Sequence, residues 1–295
     1  MASAVQSPGE SRFACTSCGA CCNRSPEVQL SEAAALSDMF VFRLMFRLYE
    51  LPRSLACRPT AASAEAFHES KRLLAAFAAR TRIVRRRQGA KSVEHRRYLV
   101  ISALTLDTGG GACAALSAGR CSIYARRPLA CRTLPFHYSR PEASARRDLE
   151  SFVSTPGHAC DTGGHAPVVL AGGRIVDPGS RQARDDALRL CSQERSWQDS
   201  ILGRLKAGAG ASLPSLSDIE ANAAFGATTT SMRVAWQIAA EAGLLDADAF
   251  RRLIEAQSHV IDRELAAGRC SPDALETLTG MRAEYKHALL AYGKN

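Results

Sequence analysis

The sequence predicts an α+β fold, mainly helical, in which an irregular cysteine-rich region with a few short strands joins a C-terminal helical bundle. Three observations predict it. Residues 107–165 are rich in Gly, Pro, Cys and Arg and show little hydrophobic periodicity, so side-chain burial alone would fold them poorly. From about residue 180 apolar residues recur at helical spacing, with Trp197, Ile201 and Leu205 on one stripe. Residues 98–106 (YLVISALTL) and 168–176 (VVLAGGRIV) have strand composition, the second as two short strands around Gly172 and Gly173. At 295 residues, 46% hydrophobic and 23% charged, the chain can bury a core without disulfides.

Taken in order, residues 30–51 read as a helix, with Leu36, Phe40, Leu44 and Leu48 at four-residue steps. Arg43, Arg47 and Glu50 leave only a narrow polar stripe, which favours a buried helix over one lying on a membrane surface. Residues 61–87 read as a second helix, with Phe67, Leu74, Phe77 and Val84 on one side. It ends in Arg80, Arg82, Arg85, Arg86 and Arg87, cations that could grip a phosphate backbone but more often complement the helix dipole in a last turn or sit in solvent. After a Gly/Ser-rich break at 207–217, helices are expected over 229–243, 246–267 and 272–292, with Asp246 as an N-cap, Gly268 just past a C-terminus and Ser271-Pro272 as cap and first turn. The expected organisation is a cysteine-cluster domain over 1–178, with the two helices inserted, and a helical domain over 179–295.

No run of eighteen or more apolar residues is present, and the opening MASAVQSPGESR lacks a basic head and an apolar stretch. A cytoplasmic protein without a membrane span is therefore expected. Nine of the eleven cysteines lie in residues 1–160, and Cys15, Cys18, Cys21 and Cys22 fall within eight positions. In a reducing compartment such crowding serves metal rather than disulfides. The run Cys15-x2-Cys18-x2-Cys21-Cys22 has the spacing that lets thiolates converge on one ion, with Gly19 relaxing the backbone between them. Cys21 and Cys22, being adjacent, point in different directions in most conformations, so one of them is available to a second centre or a neighbouring role.

A second group, Cys113-x7-Cys121-x9-Cys131-x28-Cys160, brings the candidate ligands to eight. Arg120, Arg126, Arg127 and Arg132 stand beside it, where they could offset thiolate charge. His137 and His158 lie close enough to replace a thiol or donate to one, although a lone histidine is more often a solvated or core residue. Cys57, Cys191 and Cys270 stand outside the pattern and read as small buried hydrophobes. The net charge of +9 would suggest nucleic acid, but eight thiolates holding two dications lower it to about +5, which argues against that partner.

The segments FACTSCGACC and GRCSIYARRPLACRTLPF, with the late Cys160, resemble the CxxCxxCC cysteine-cluster family of zinc- or iron-chelating proteins, some labelled Fe–S oxidoreductases. The resemblance covers roughly residues 13–160. It implies that Cys15, Cys18, Cys21, Cys22, Cys113, Cys121, Cys131 and Cys160 bind metal. Flagellin lysine N-methylases are similar in cysteine pattern, which implies as an alternative a methyl transfer from S-adenosylmethionine to protein lysine. The ninety residues between Cys22 and Cys113 make a longer spacer than in compact members, and residues 180–295 fall outside the resemblance.

Iron–sulfur clusters take thiolates from a C-x2-C-x2-C run completed by a distant cysteine, and zinc accepts the same ligands. The spacing favours a [4Fe–4S]-type cluster with a redox or electron-transfer role, with a zinc-stabilised scaffold as the alternative. No P-loop or nucleophile elbow is present, Gly109-Gly110-Gly111 precedes a cysteine rather than a helix, and Asp185-Asp186 reads as a solvated helix face. These residues leave an enzymatic activity open, and the helical half is left to dock a protein partner.

Overall fold

This computed structural model of the protein describes residues 9–22, 25–53, 60–108, 111–208 and 212–292; Cys57 and Gly109-Gly110 lie outside them. Strands β1 (Ser11–Arg12) and β2 (Glu27–Val28) flank the first cysteine run, and helix α1 (Leu30–Ala35) follows. The helix expected over 30–51 stops there, because Phe42–Pro52 forms strand β3. Steps of four fit a period of two as well as 3.6, and Phe42 and Phe46 fill the same parity as Leu44, giving a strand with one apolar face. The second expected helix is likewise split. Helix α2 (Ala61–Phe77), capped by Thr60, ends at an extended Ala78, and strand β4 (Ala79–Gln88) takes the remainder. Thr81, Ile83 and Val84 are β-branched, and the arginines around them pair across strands instead of meeting a helix terminus.

Strand β5 (Lys91–Thr105) is the centre of the sheet, longer than its most apolar stretch. It pairs antiparallel with β3 from Phe42↔Thr105 to Pro52↔His95, and on its other edge with β4 and β2. Alternation then divides the side chains between two faces. Phe42, Leu44 and Phe46 with Leu99, Ile101 and Ala103 form one face and enter the large core shared with the C-terminal helices. Arg47 and Tyr49 with Val100 and Ser102 lie on the other, toward the cysteines.

The described residues of 107–165 form short elements: a hairpin of β6 (Leu116–Ser117) and β7 (Arg120–Cys121), 3-10 turns at Tyr124–Arg126 and Glu142–Ser144, helix α3 (Leu129–Arg132) and helix α4 (Ala145–Val153). A small core of Phe136, Ala145, Leu149, Val169, Leu170 and Ile175 lies beneath them. β8 (Val168–Ala171) and β9 (Arg174–Ile175) turn at Gly172 and Gly173, both at positive φ, and β8 also pairs with β1. Helices α5 (Pro178–Gln193), α6 (Arg195–Ala207) and α7 (Leu216–Asn222) follow.

The helix expected over 229–243 begins late, since Ala227–Ser231, with three successive threonines, forms strand β10 along β3 before helix α8 (Met232–Glu241). Helices α9 (Ala247–Ala267) and α10 (Pro272–Tyr292) have the expected bounds, with Asp246 accepting from Ala249 N–H at 2.6 Å and Gly268 left-handed. The mainly helical α+β class stands.

Two buried polar side chains tie distant elements. Glu194, between α5 and α6, accepts from Leu30 N–H at 3.0 Å and Ser31 N–H at 2.6 Å, satisfying donors of the α1 N-terminus that have no partner within the helix. Burial pushes its carboxyl pKa up, against those donors. Gln257 on α9 accepts from Phe42 N–H at 3.0 Å and donates to the Ser37 and Phe40 carbonyls, each at 2.6 Å. Replacing Gln257 by Leu strands three buried backbone groups, and a denaturant titration is expected to register a loss of about 3 kcal/mol.

The division at 178/179 falls where α5 begins, while the second part returns to the sheet through β10. We propose it as a division of stability. When metal is stripped by a chelator, hydrogen exchange is expected to lose protection over 107–165 and keep it over 229–292; uniform loss would make the chain one cooperative unit.

Candidate metal centre

Backbone contacts bring the two cysteine groups together. Ala14 and Asp161 form a β-bridge, and Thr16 Oγ1 donates to the Ala159 carbonyl at 2.8 Å, which sets the loop of Cys15 and Cys18 beside Cys160. Cys21 and Cys22 lie in one turn of 3-10 helix, and the Cys113 N–H donates to the Cys22 carbonyl at 2.7 Å. Cys121 is on β7 and Cys131 on α3. The expected role of Gly19 takes a specific form: at φ +76° it lies against the β6–β7 turn, and a Cβ there would stand 2.3 Å from the Gly119 carbonyl oxygen. Among the described residues, the non-glycine positions at positive φ are Ser17 and Ala118, one in each of these apposed loops. Such backbone costs about 1–3 kcal/mol each and persists where surroundings impose it.

All eight candidate cysteines line one cavity of about 790 Å³. They are free thiols, exposed at Cys15 and Cys18 and partly buried at the other six. Burial, followed by the neighbouring Cys21, Cys113 and Cys121, pushes the Cys22 thiol up to about 12. Burial and then Cys113 and Cys21 raise Cys131 to about 12 as well, with Arg127 opposing. Burial also raises Cys21, Cys113 and Cys160, and Cys160 is further raised by Cys18, Cys15 and Cys21. Cys18 is lowered, chiefly by hydrogen bonding to the Ala159 backbone and then to that of Ala20.

These mutual influences sort the thiols into two neighbourhoods. Cys160 and Cys21 are both raised by Cys15 and Cys18, Cys22 and Cys131 are both raised by Cys113 and Cys121, and Cys21 acts on Cys160, Cys22, Cys113 and Cys131 alike. Among the described residues no three His, Cys, Asp or Glu side chains converge closely enough to form a metal-binding group. The donor chemistry nonetheless fits a cation: packed thiols that repel each other as thiolates are the groups a divalent or cluster-bound metal neutralises.

Of the flanking arginines, Arg127 and Arg132 line the cavity, with Arg127 4.1 Å above the Tyr124 ring and Arg132 3.5 Å from Asp186; Arg120 and Arg126 are not among the lining residues. His137 and His158 both reach the wall. Nδ1 of His158 is 2.7 Å from the Phe152 carbonyl, and its ring packs on Phe152. Cys191 is fully buried as a core residue, and Cys270 packs at the edge of the main core.

The far wall comes from the sheet and has no local sequence signal. There Glu27 accepts from Arg47 at 3.0 Å and from Ser102 Oγ at 2.8 Å, and Gln29 Nε2 donates to Tyr138 Oη at 2.7 Å.

Gly19→Ala combines left-handed strain with a clash, whereas Gly119→Ala, at φ +73° with open space around its Cβ, adds strain alone. The first is therefore expected to lower metal content and melting temperature; the second should cost about 1–2 kcal/mol and keep its metal.

Comparison with known proteins bears on the same residues. No curated protein and no solved structure gives a match. A family model does match, over residues 14–161, with the description "CxxCxxCC: Putative zinc- or iron-chelating domain". The matched span holds all eight cysteines of the cavity and covers half of the chain, and the protein accordingly belongs to the CxxCxxCC family.

Proposed function

We propose that the protein holds an iron–sulfur cluster, of [4Fe–4S] type, through its cysteine thiolates and serves a redox or electron-transfer role in the cytoplasm. The observation that carries the reading is the apposition of Cys160 to the Cys15-x2-Cys18-x2-Cys21 run, three closely spaced thiols and one remote thiol. In this reading Cys15, Cys18, Cys21 and Cys160 form one ligand set, and Cys22, Cys113, Cys121 and Cys131 a second. A cluster bound there supplies one-electron transfer. The chain supplies the surroundings: at the first set Cys21 and Cys160 are partly buried while the exposed Cys15 and Cys18 form the end nearest a partner, and at the second set burial raises Cys22 and Cys131 while Arg127 offsets thiolate charge at Cys131. The ten described cysteines are free thiols, a state suited to a reducing compartment, and no described helix is long and apolar enough to cross a membrane.

Two alternatives have support of their own. The second ligand set lacks the ferredoxin-like spacing and suits a four-thiolate zinc site, which supports the scaffold reading. The cavity, at about 790 Å³, leaves room beside a metal for a small molecule, as the alternative of a protein lysine N-methyltransferase of the flagellin-methylase kind requires.

Protein purified without oxygen is expected to carry iron and acid-labile sulfide and to bleach on reduction. A colourless protein with stoichiometric zinc after cluster reconstitution would overturn the iron–sulfur reading. Cys18→Ala and Cys131→Ala are expected to lose metal and thermal stability together, while Ala at Cys57, Cys191 or Cys270 leaves metal content unchanged.

A further inference from the structure

The excess positive charge of this chain is concentrated in one element. Residues 79–97 hold eight arginines and lysines against one carboxylate, so they carry +7 of the chain's formal +9. These residues make up β4, its turn at Gly89 and the first half of β5. None of the described residues among them lines the thiol cavity, so their charge does not serve to neutralise thiolates there. Being strands, they have no helix dipole to complement either.

The ribbon also projects. β3 accompanies β5 only as far as Pro52↔His95, whereas β4 and β5 remain paired out to Gln88↔Lys91. Among the described residues the last four residue pairs therefore form a two-stranded ribbon beyond the sheet. Carboxylates hold its root and the first two pairs beyond the sheet: Glu50 takes Arg86 at 2.9 Å and Arg97 at 2.6 Å, Glu220 takes Arg97 at 3.0 Å, and Glu94 takes Arg53 at 2.9 Å and Arg85 at 3.5 Å. Arg87, Lys91 and Arg96 have no ion-pair partner among the described residues. Register and alternation set Arg85, Arg87 and Arg96 on one face of the ribbon, with Glu94 as its only acid.

The net charge argues against nucleic acid only on the premise that arginines offset thiolates; because these cations lie away from the thiols, we propose instead that this ribbon is a binding element for duplex DNA. The major groove of B-DNA admits a two-stranded β-ribbon, and phosphates on both sides match a ribbon with unpaired Arg87 and Lys91 at its tip and unpaired Arg96 at its root. The deep, narrow major groove of duplex RNA does not admit it. The contact is to the backbone and carries no sequence preference of its own.

The test is fluorescence anisotropy of a labelled 20-base-pair DNA duplex with the full, metal-loaded chain between 50 and 200 mM salt. The triple variant Arg87→Ser, Lys91→Ser, Arg96→Ser is expected to bind roughly tenfold more weakly at 200 mM salt and roughly 400-fold more weakly at 50 mM, a log–log salt slope shallower by roughly 2.7. A control triple that removes the same charge from exposed positions on or beside α9 and α10, Arg252→Ser, Arg269→Ser, Lys286→Ser, should keep most of the binding. Metal content and circular dichroism report that both variants are folded. Equal loss in the two triples, equal affinity for a 20-base-pair RNA duplex, or binding to phosphatidylserine vesicles without binding to DNA would each overturn the proposal.

Discussion

Antiparallel pairing of β3 with β5 divides the molecule into its two environments. Because the register runs unbroken from Phe42↔Thr105 to Pro52↔His95, each position is committed to one face. Phe42, Leu44 and Phe46 go to the helices, and Arg47 and Tyr49 go to the cavity. A slip of one residue would drive Arg43 and Arg47 into the apolar core and expose three large side chains. The bonds from Gln257 to Ser37, Phe40 and Phe42 hold the start of β3 against α9 and so help to hold the register.

On the cavity side, stability works differently. The loops carrying the thiols have little apolar area to bury, and Ser17 and Ala118 hold backbone conformations that cost energy. They are kept together by a small number of backbone contacts: the Ala14–Asp161 bridge, the Cys113 to Cys22 hydrogen bond, and the absence of a side chain at Gly19. Such an arrangement leaves the thiols crowded and mutually repelling, a cost that a bound cation removes.

What was legible in the sequence depended on whether the signal was local. The bounds of α9 and α10 were readable because Asp246, Gly268 and Ser271-Pro272 terminate helices through bonds to near neighbours. The cysteine run was readable because metal chemistry constrains spacing. Residues 30–51 misled because Leu36, Phe40, Leu44 and Leu48 satisfy both a helical and a strand repeat, and only the extra aromatics at 42 and 46 separate the two. At Phe77–Ala78 the chain passes from helix to strand with no Gly or Pro to mark it. The Glu27, Arg47 and Ser102 group depends on strand pairing between segments up to 75 residues apart, and no window along the chain contains it.

Glu194 has a consequence for the order in which the chain can be completed. It closes the N-terminus of α1 from 164 residues downstream. At the usual speed of translation that carboxylate leaves the ribosome on the order of ten to thirty seconds after Leu30. Cys160 trails Cys15 by a comparable stretch, and β10 trails β3 by more. A nascent chain therefore presents its first thiols to the cell well before their partners or the far edge of the sheet exist. During that interval the first thiols are held neither by the Ala14–Asp161 bridge nor by the bond from Cys113 to Cys22, so their loop is open to solvent and to any metal ion or oxidant present.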